Sequence, residues 1–138
     1  MMVGRPHRDV FAFLADFENV PRWNYAIVET TKASPGPTGV GTRYRQVRQI
    51  PRRSQEGFEV TEFVAERRLA IRGRLGPFDS EVAYELEAEG SGTRLVNTVS
   101  LRSGGLGRLV ERPLAGRIRN AVAENLTQLK SLLESTAP

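Results

Sequence analysis

Few residues in this chain of 138 could do chemistry. Cysteine is absent, which excludes disulfides, thiolate nucleophiles and thiolate-held metal. The single histidine, His7, stands near the N-terminus, and one imidazole does not make a zinc or iron site. GPTGVG and EGSGT space their glycines suggestively, but neither lies between a strand and a helix with a following lysine, so both read as hairpin loops. Asn125 to Thr127 spells a glycosylation acceptor inside a predicted helix and is set aside. No nucleophile is paired with a base, and no cofactor or metal is expected. What remains is a set of polar residues, Gln46, Arg48, Glu62 and Asn97, set at alternating positions among apolar ones. A buried polar group without a partner costs roughly 1 to 3 kcal/mol, so on an inner sheet face these four need each other, water or a ligand. They are the candidates for recognising the polar part of a substrate.

The elements that would position them follow from hydrophobic period. From about Ala26 to Ser103 apolar and polar residues alternate, with breaks at SPGPTGVG, PRRSQEG, AERR, GPF and EGSG. This spacing predicts about six consecutive strands in an antiparallel meander. Arg43 and Arg45, then Glu59 and Thr61, then Arg72 and Arg74, then Glu81, Glu85 and Glu87, then Arg94 would alternate in sign from strand to strand on a solvated outer face. The inner face then carries Tyr44, Gln46, Arg48; Phe58, Val60, Glu62; Leu69, Ile71, Gly73; Val82, Tyr84, Leu86; and Leu95, Asn97, Val99, Leu101. A β-bulge would reverse any one of these assignments.

Helical spacing flanks the meander. Val10, Phe11, Leu14 and Phe17 share one face of a helix predicted over Pro6 to Asp16, and Asn19 is placed to cap a second short turn containing Pro21 and Trp23. Leu106, Leu109, Val110, Leu114, Ile118, Val122, Leu126, Leu129 and Leu133 form one long stripe after a hinge at Ser103 to Gly105. Pro113 should kink or interrupt it after the first two turns, leaving a long straight part from about Ala115 to Ser135. Only the inner sheet face is broad enough to receive that stripe.

The net charge of +4 rests on twenty basic residues, of which only Lys32 and Lys130 are lysine. Most arginines have carboxylate neighbours and no aromatics among them, so nucleic acid is not the expected partner. No apolar stretch is long enough to span a bilayer. The opening MMVGRPHRDV lacks the parts of a secretory signal, so a cytoplasmic protein is expected. The length fits one domain over residues 1–138.

DVFAFLADFENVPRWN, GVGTRYR and VAYELEAEGSGTRLVNTVSL resemble the helical opening, third strand and last hairpin of the SRPBCC superfamily, in its bacterial polyketide cyclase/dehydrase-like branch. That superfamily includes START lipid-binding domains and birch-pollen-allergen-like proteins. The resemblance implies an α+β helix-grip fold: a curved antiparallel sheet wrapped on a long C-terminal helix, with two short N-terminal helices. Only MMVG precedes the Arg5–Pro6 that leads into helix one, so most of the first strand is expected to be missing and the exposed edge to be covered by a loop or a second copy of the chain.

The resemblance also implies a ligand cavity between sheet and helix. Its walls would be Phe11, Trp23, Tyr25, Tyr44, Gln46, Phe58, Val60, Glu62, Ile71, Tyr84, Asn97, Val99, Ile118 and Val122. Two functions fit such a space. One is binding of a hydrophobic small molecule such as a lipid, quinone or polyketide. The other is an aromatase/cyclase-like enzyme in which Tyr44, Glu62 or Tyr84 promotes enolisation and loss of water. The absence of a paired nucleophile and base favours binding.

Overall fold

The computed structural model describes residues 1–75, 78–103, 108–109 and 112–135. Helix α1 (His7–Ala15) starts after Pro6 and buries Val10, Phe11 and Leu14. Its first turn carries Asp9, which pairs with Arg5 at 3.0 Å. A single turn of tighter helix, Phe17–Asn19, then leads into α2 (Val20–Trp23), where Pro21 suits the first turn because its missing N–H would have had no partner there. Asn19 does not cap α2 as expected. Its side chain reaches back, donating to the Phe13 carbonyl at 3.3 Å while accepting from Arg22, and so fixes the elbow between the two helices.

Six consecutive strands form the predicted meander: β2 (Ile27–Lys32), β3 (Arg43–Arg48), β4 (Ser54–Val64), β5 (Arg68–Leu75), β6 (Phe78–Glu89) and β7 (Gly92–Ser103). Their register sets Arg43 opposite Glu59, Glu59 opposite Arg72 and Arg72 opposite Glu81. The outer face is therefore a ladder of alternating charge, as its residue types imply. β4 begins at Ser54, so the PRRSQEG segment is a turn only in its first half. The β6–β7 hairpin turns through Gly90 and Ser91, with positive φ only at Gly90, the pattern that permits glycine first in a two-residue turn.

Strand β1 (Met2–Val3) survives as two residues, placing Met2 opposite Arg94 and Val3 opposite Thr93 on the free side of β7. The Leu95 N–H donates to the Met1 carbonyl, and Val3 and Thr93 are fully buried. Gly92 makes this approach possible, because a Cβ there would lie 2.7 Å from the Val3 carbonyl oxygen. Further along the same side, β8 (Arg108–Leu109) pairs with Arg102 and Ser103. The edge is thus partly closed by the chain itself.

β8 corrects the expected helical reading around Leu109; Leu106 and Val110 lie outside the described residues. The long helix α3 (Arg112–Ser135) starts with Pro113 in its first turn instead of being broken by it. Its C-terminal half lies against α2 and β1. Leu129 and Leu133 are buried, the Leu133 carbonyl accepts from Arg5, and the Glu134 carboxylate accepts from the Gly4 N–H at 2.7 Å. The Gly4 N–H and Lys130 hold that carboxylate below its ordinary range.

Close approach of β4 and β5 depends on Gly73. A Cβ there would stand 2.5 Å from the Gly57 carbonyl oxygen and 2.8 Å from the Phe58 Cβ. Because the nearest obstacle is backbone, Gly73→Ala should lose about 1–3 kcal/mol of stability. Urea denaturation of the two proteins measures it, and an unchanged midpoint would refute the close packing.

Candidate functional site

The meander has two ends. At the upper end lie the β3–β4 loop, the last residues of β5 and β7, the first residues of β6, and the turn from α2 into β2. At the lower end lie the β4–β5 and β6–β7 turns, with β1 and the last turns of α3 packed beside them. Burial differs between these ends. On β5–β7, Leu69, Tyr84, Leu86 and Leu95 are buried toward the lower end, whereas Ile71, Val82, Val99 and Leu101 are only half-buried above them. Helix α3 repeats the gradient along one stripe: Leu133 and Leu129 are buried, Val122 and Ile118 half-buried. The apolar side chains of the upper sheet and of the first half of α3 are thus less completely covered than those at the lower end.

The expected wall residues divide accordingly. Ile71, Val99, Ile118 and Val122 are half-buried, as is Asn97, which donates to the Ala83 carbonyl at 3.1 Å. Trp23 and Tyr84 are buried and meet edge to face with centroids 6.4 Å apart. Tyr44 and Phe58 stack at 5.2 Å with Phe17 packed against both rings. Phe11 sits deeper, edge to face with Phe63 at 5.2 Å, and Val60 is fully buried in the packed core. Tyr25 is 45% exposed on the upper rim. Its N–H donates to Asn125 of α3 and its carbonyl accepts from Gln49, which ties helix, elbow and β3–β4 loop together.

Glu62 is not on the inner face. A bulge between Val60 and Glu62 adds one residue to β4, so that Phe63 points inward in its place. Glu62 then faces solvent and accepts from Arg68 at 2.6 Å, while Arg68 also bonds Glu85 on the neighbouring strand. Gln46 and Arg48 do face inward. Their partner is Glu56, which the turn-like PRRSQEG concealed; alternation back from Phe58 would have found it. Gln46 Nε2 donates to one Glu56 oxygen at 3.0 Å and Arg48 Nε to the other at 2.8 Å, with the Glu56 side chain 4% exposed. Thr30, opposite Gln46 on β2, is also buried, and its hydroxyl has no hydrogen-bond partner among the described residues.

Both inward phenols are poor acids. Burial pushes the Tyr84 hydroxyl far above the ordinary phenol range, and among the described residues it has no hydrogen-bond partner. Burial also raises Tyr44, outweighing the opposing effect of its 2.6 Å hydrogen bond with Thr38, and the nearby Asp16 and Glu18 charges add to the rise. These groups can donate hydrogen bonds but do not serve as bases near neutral pH. Two grooves lie mainly over outer-face charges, one around Gly57 and one beside Arg68 and Glu85.

Residues 1–134 match the family described as polyketide cyclase/dehydrase and lipid transport. The chain belongs to that family. The solved structure of Ara h 8.0201 is similar with a TM-score of 0.79 at 13% identity, covering 99% of this chain and 95% of that one. A START superfamily protein from Mycobacterium smegmatis reaches 0.79 at 16% identity, over 97% and 93% of the two chains. A Thermus thermophilus protein reaches 0.70 at 21% identity, over 99% and 96%. At such identities these likenesses concern the fold, which is the helix-grip α+β fold of the SRPBCC superfamily. None of the curated proteins compared matches the sequence. Among the described residues no helix is long and apolar enough to cross a membrane.

Two carboxylates separate inner from outer face by experiment. Glu56→Ala leaves Arg48 charged and buried, and should cost about 3–5 kcal/mol. Glu62→Ala removes an exposed, screened pair and should leave the denaturation midpoint nearly unchanged. Tyr84 supplies a pH test. Its folded-state pKa is raised above the unfolded value of 10.0, so its contribution is intact below pH 10 and is lost as pH rises through and beyond that value. Tyr84→Phe should therefore flatten the alkaline fall in stability; parallel pH profiles for both proteins would count against a buried phenol.

Proposed function

We propose that this protein binds a hydrophobic small molecule, of the lipid, quinone or polyketide class, in the cleft between the upper sheet and the first half of α3. The supporting observation is the burial gradient: Ile71, Val82 and Val99 on the inner sheet face, and Ile118 and Val122 on α3, are apolar yet only half-buried, whereas Leu69, Leu86, Leu95, Leu129 and Leu133 are buried. A mostly apolar cleft with a few polar groups suits such a ligand. Trp23, Tyr84 and Asn97 form its floor, Tyr25 stands on its rim, and Gln46 with its neighbours is its polar end. In this reading the protein works in the cytoplasm, a reducing compartment in keeping with a chain that has no cysteine.

The enzymatic alternative, a polyketide cyclase, has less support. Glu62 is turned away on the outer face, and the phenols of Tyr44 and Tyr84 are held neutral. General acid–base work needs a group that titrates near the working pH and reaches the substrate, and neither phenol meets the first requirement.

Filling the cleft tests the proposal. Val99→Phe and Ile118→Phe each add bulk at a half-buried wall. If the space is a cavity, each variant should fold with less than about 1 kcal/mol of loss while an apolar ligand retained by the native protein, detected by native mass spectrometry, disappears. If the space is closed core, overpacking should cost about 1–3 kcal/mol and no ligand should be found on any of the proteins.

A further inference from the structure

The outer face of the sheet holds a glycine that the fold does not require. Gly57 lies inside β4, directly across from Arg45 of β3, and its φ is outside the left-handed region. A Cβ there would meet only the Tyr44 carbonyl oxygen, at 3.6 Å, which is ordinary contact. Gly73, by contrast, is demanded by the backbone packed against it. Glycine in the interior of a strand weakens it, and where neither a turn nor crowding calls for one it marks a place that something else approaches closely. Around Gly57 lies a groove of about 600 Å³ whose walls include Arg43, Arg45 and Arg72, with Gln55 and Glu59.

Strand register brings these arginines together. Arg45 faces Gly57, Arg43 faces Glu59 one row along, and Glu59 in turn faces Arg72. All three arginines are exposed, and among the described residues their guanidinium groups have no ion-pair or hydrogen-bond partner. Glu59 pairs with none of them, and the Glu56 carboxylate is turned inward to Gln46 and Arg48. Three guanidiniums against one carboxylate leave the groove cationic, and the missing side chain at Gly57 lets an anion settle between them.

We infer that Arg43, Arg45 and Arg72 form, over Gly57, a binding site for a phosphate group. The planar guanidinium fork matches phosphate oxygens, and three forks offer more donors than the two oxygens of a carboxylate can accept. An extended polyanion fits less well, because the outer ladder continues with Glu81 across from Arg72. The site lies on the opposite side of the sheet from the proposed cleft and does not depend on it.

Titration calorimetry with inorganic phosphate and with glycerol phosphate tests the site, and cosedimentation with phosphatidate vesicles against phosphatidylcholine vesicles separates a soluble phosphate from a lipid headgroup. Saturable binding of the soluble phosphates assigns the site to a small molecule; selective cosedimentation that soluble phosphate does not compete away assigns it to a lipid. In either arm Gly57→Val should keep or raise the thermal midpoint and weaken binding by about tenfold or more, because the new side chain occupies the floor. Arg45→Gln, at an exposed position, should weaken it by about tenfold and decides the matter even if Gly57→Val does not fold. Glu59→Gln should strengthen it by about threefold. Arg8→Gln, on α1 and outside the groove, should leave it unchanged. No binding in either arm, equal losses in Arg8→Gln and Arg45→Gln, native affinity in Gly57→Val, or tighter binding of a DNA duplex than of the phosphates would overturn the site.

Discussion

The fold depends on how the end of α3 is fastened to the first residues of the chain. Leu129 and Leu133 are buried against the core that Val3 helps to close, and burial of such side chains is worth about 1.5–3 kcal/mol each. The polar contacts around them, from Glu134 to the Gly4 N–H and from Lys130 to the Met2 carbonyl, lie in solvent and serve mainly to set register. One end of the helix is thereby clamped to the sheet's lower end. Toward the other end the same elements are less completely covered: Val122 and Ile118 on the helix and Ile71, Val82 and Val99 on the sheet are only half-buried.

The same geometry explains which parts were legible in the sequence. Period-two alternation located six strands, and the alternating charges of Arg43, Glu59, Arg72 and Glu81 identified their outer face, because both patterns are local and repeat along each strand. The pairing of Pro21 with a short second helix was legible for a similar reason: proline constrains its own turn. Asn19 was misread because a capping residue and an elbow residue have the same type and position, and only the neighbouring Phe13 carbonyl and Arg22 decide between them. The stretch around Leu109 was misread because leucines at helical spacing also fit a short strand lying beside β7.

The site was harder to read than the fold. Glu62 fits the inward alternation of Phe58 and Val60, and nothing in its own type reveals the bulge that adds a residue after Val60. What the bulge accomplishes is visible only in three dimensions: Phe63 gains contact with Phe11, and Glu62 gains Arg68. Glu56 was hidden by the opposite error, since a segment containing proline, serine and glycine resembles a turn throughout although its second half is strand. Whether Val99 or Ile118 packs tightly or loosely depends on the separation of elements far apart in the chain, and residue type carries no record of that distance.

These placements distribute charge in a particular way. The protein carries a net charge of +4, yet the inward-facing Arg48 is paired with the carboxylate of Glu56, and the phenols of Tyr44 and Tyr84 are held in the neutral form. Screening by salt acts on the outer face and hardly at all on a buried pair. The outer ladder therefore feels salt while the Arg48–Glu56 pair does not. Glu56 accepts from both Gln46 and Arg48, so this one carboxylate orients the amide and the guanidinium beside it.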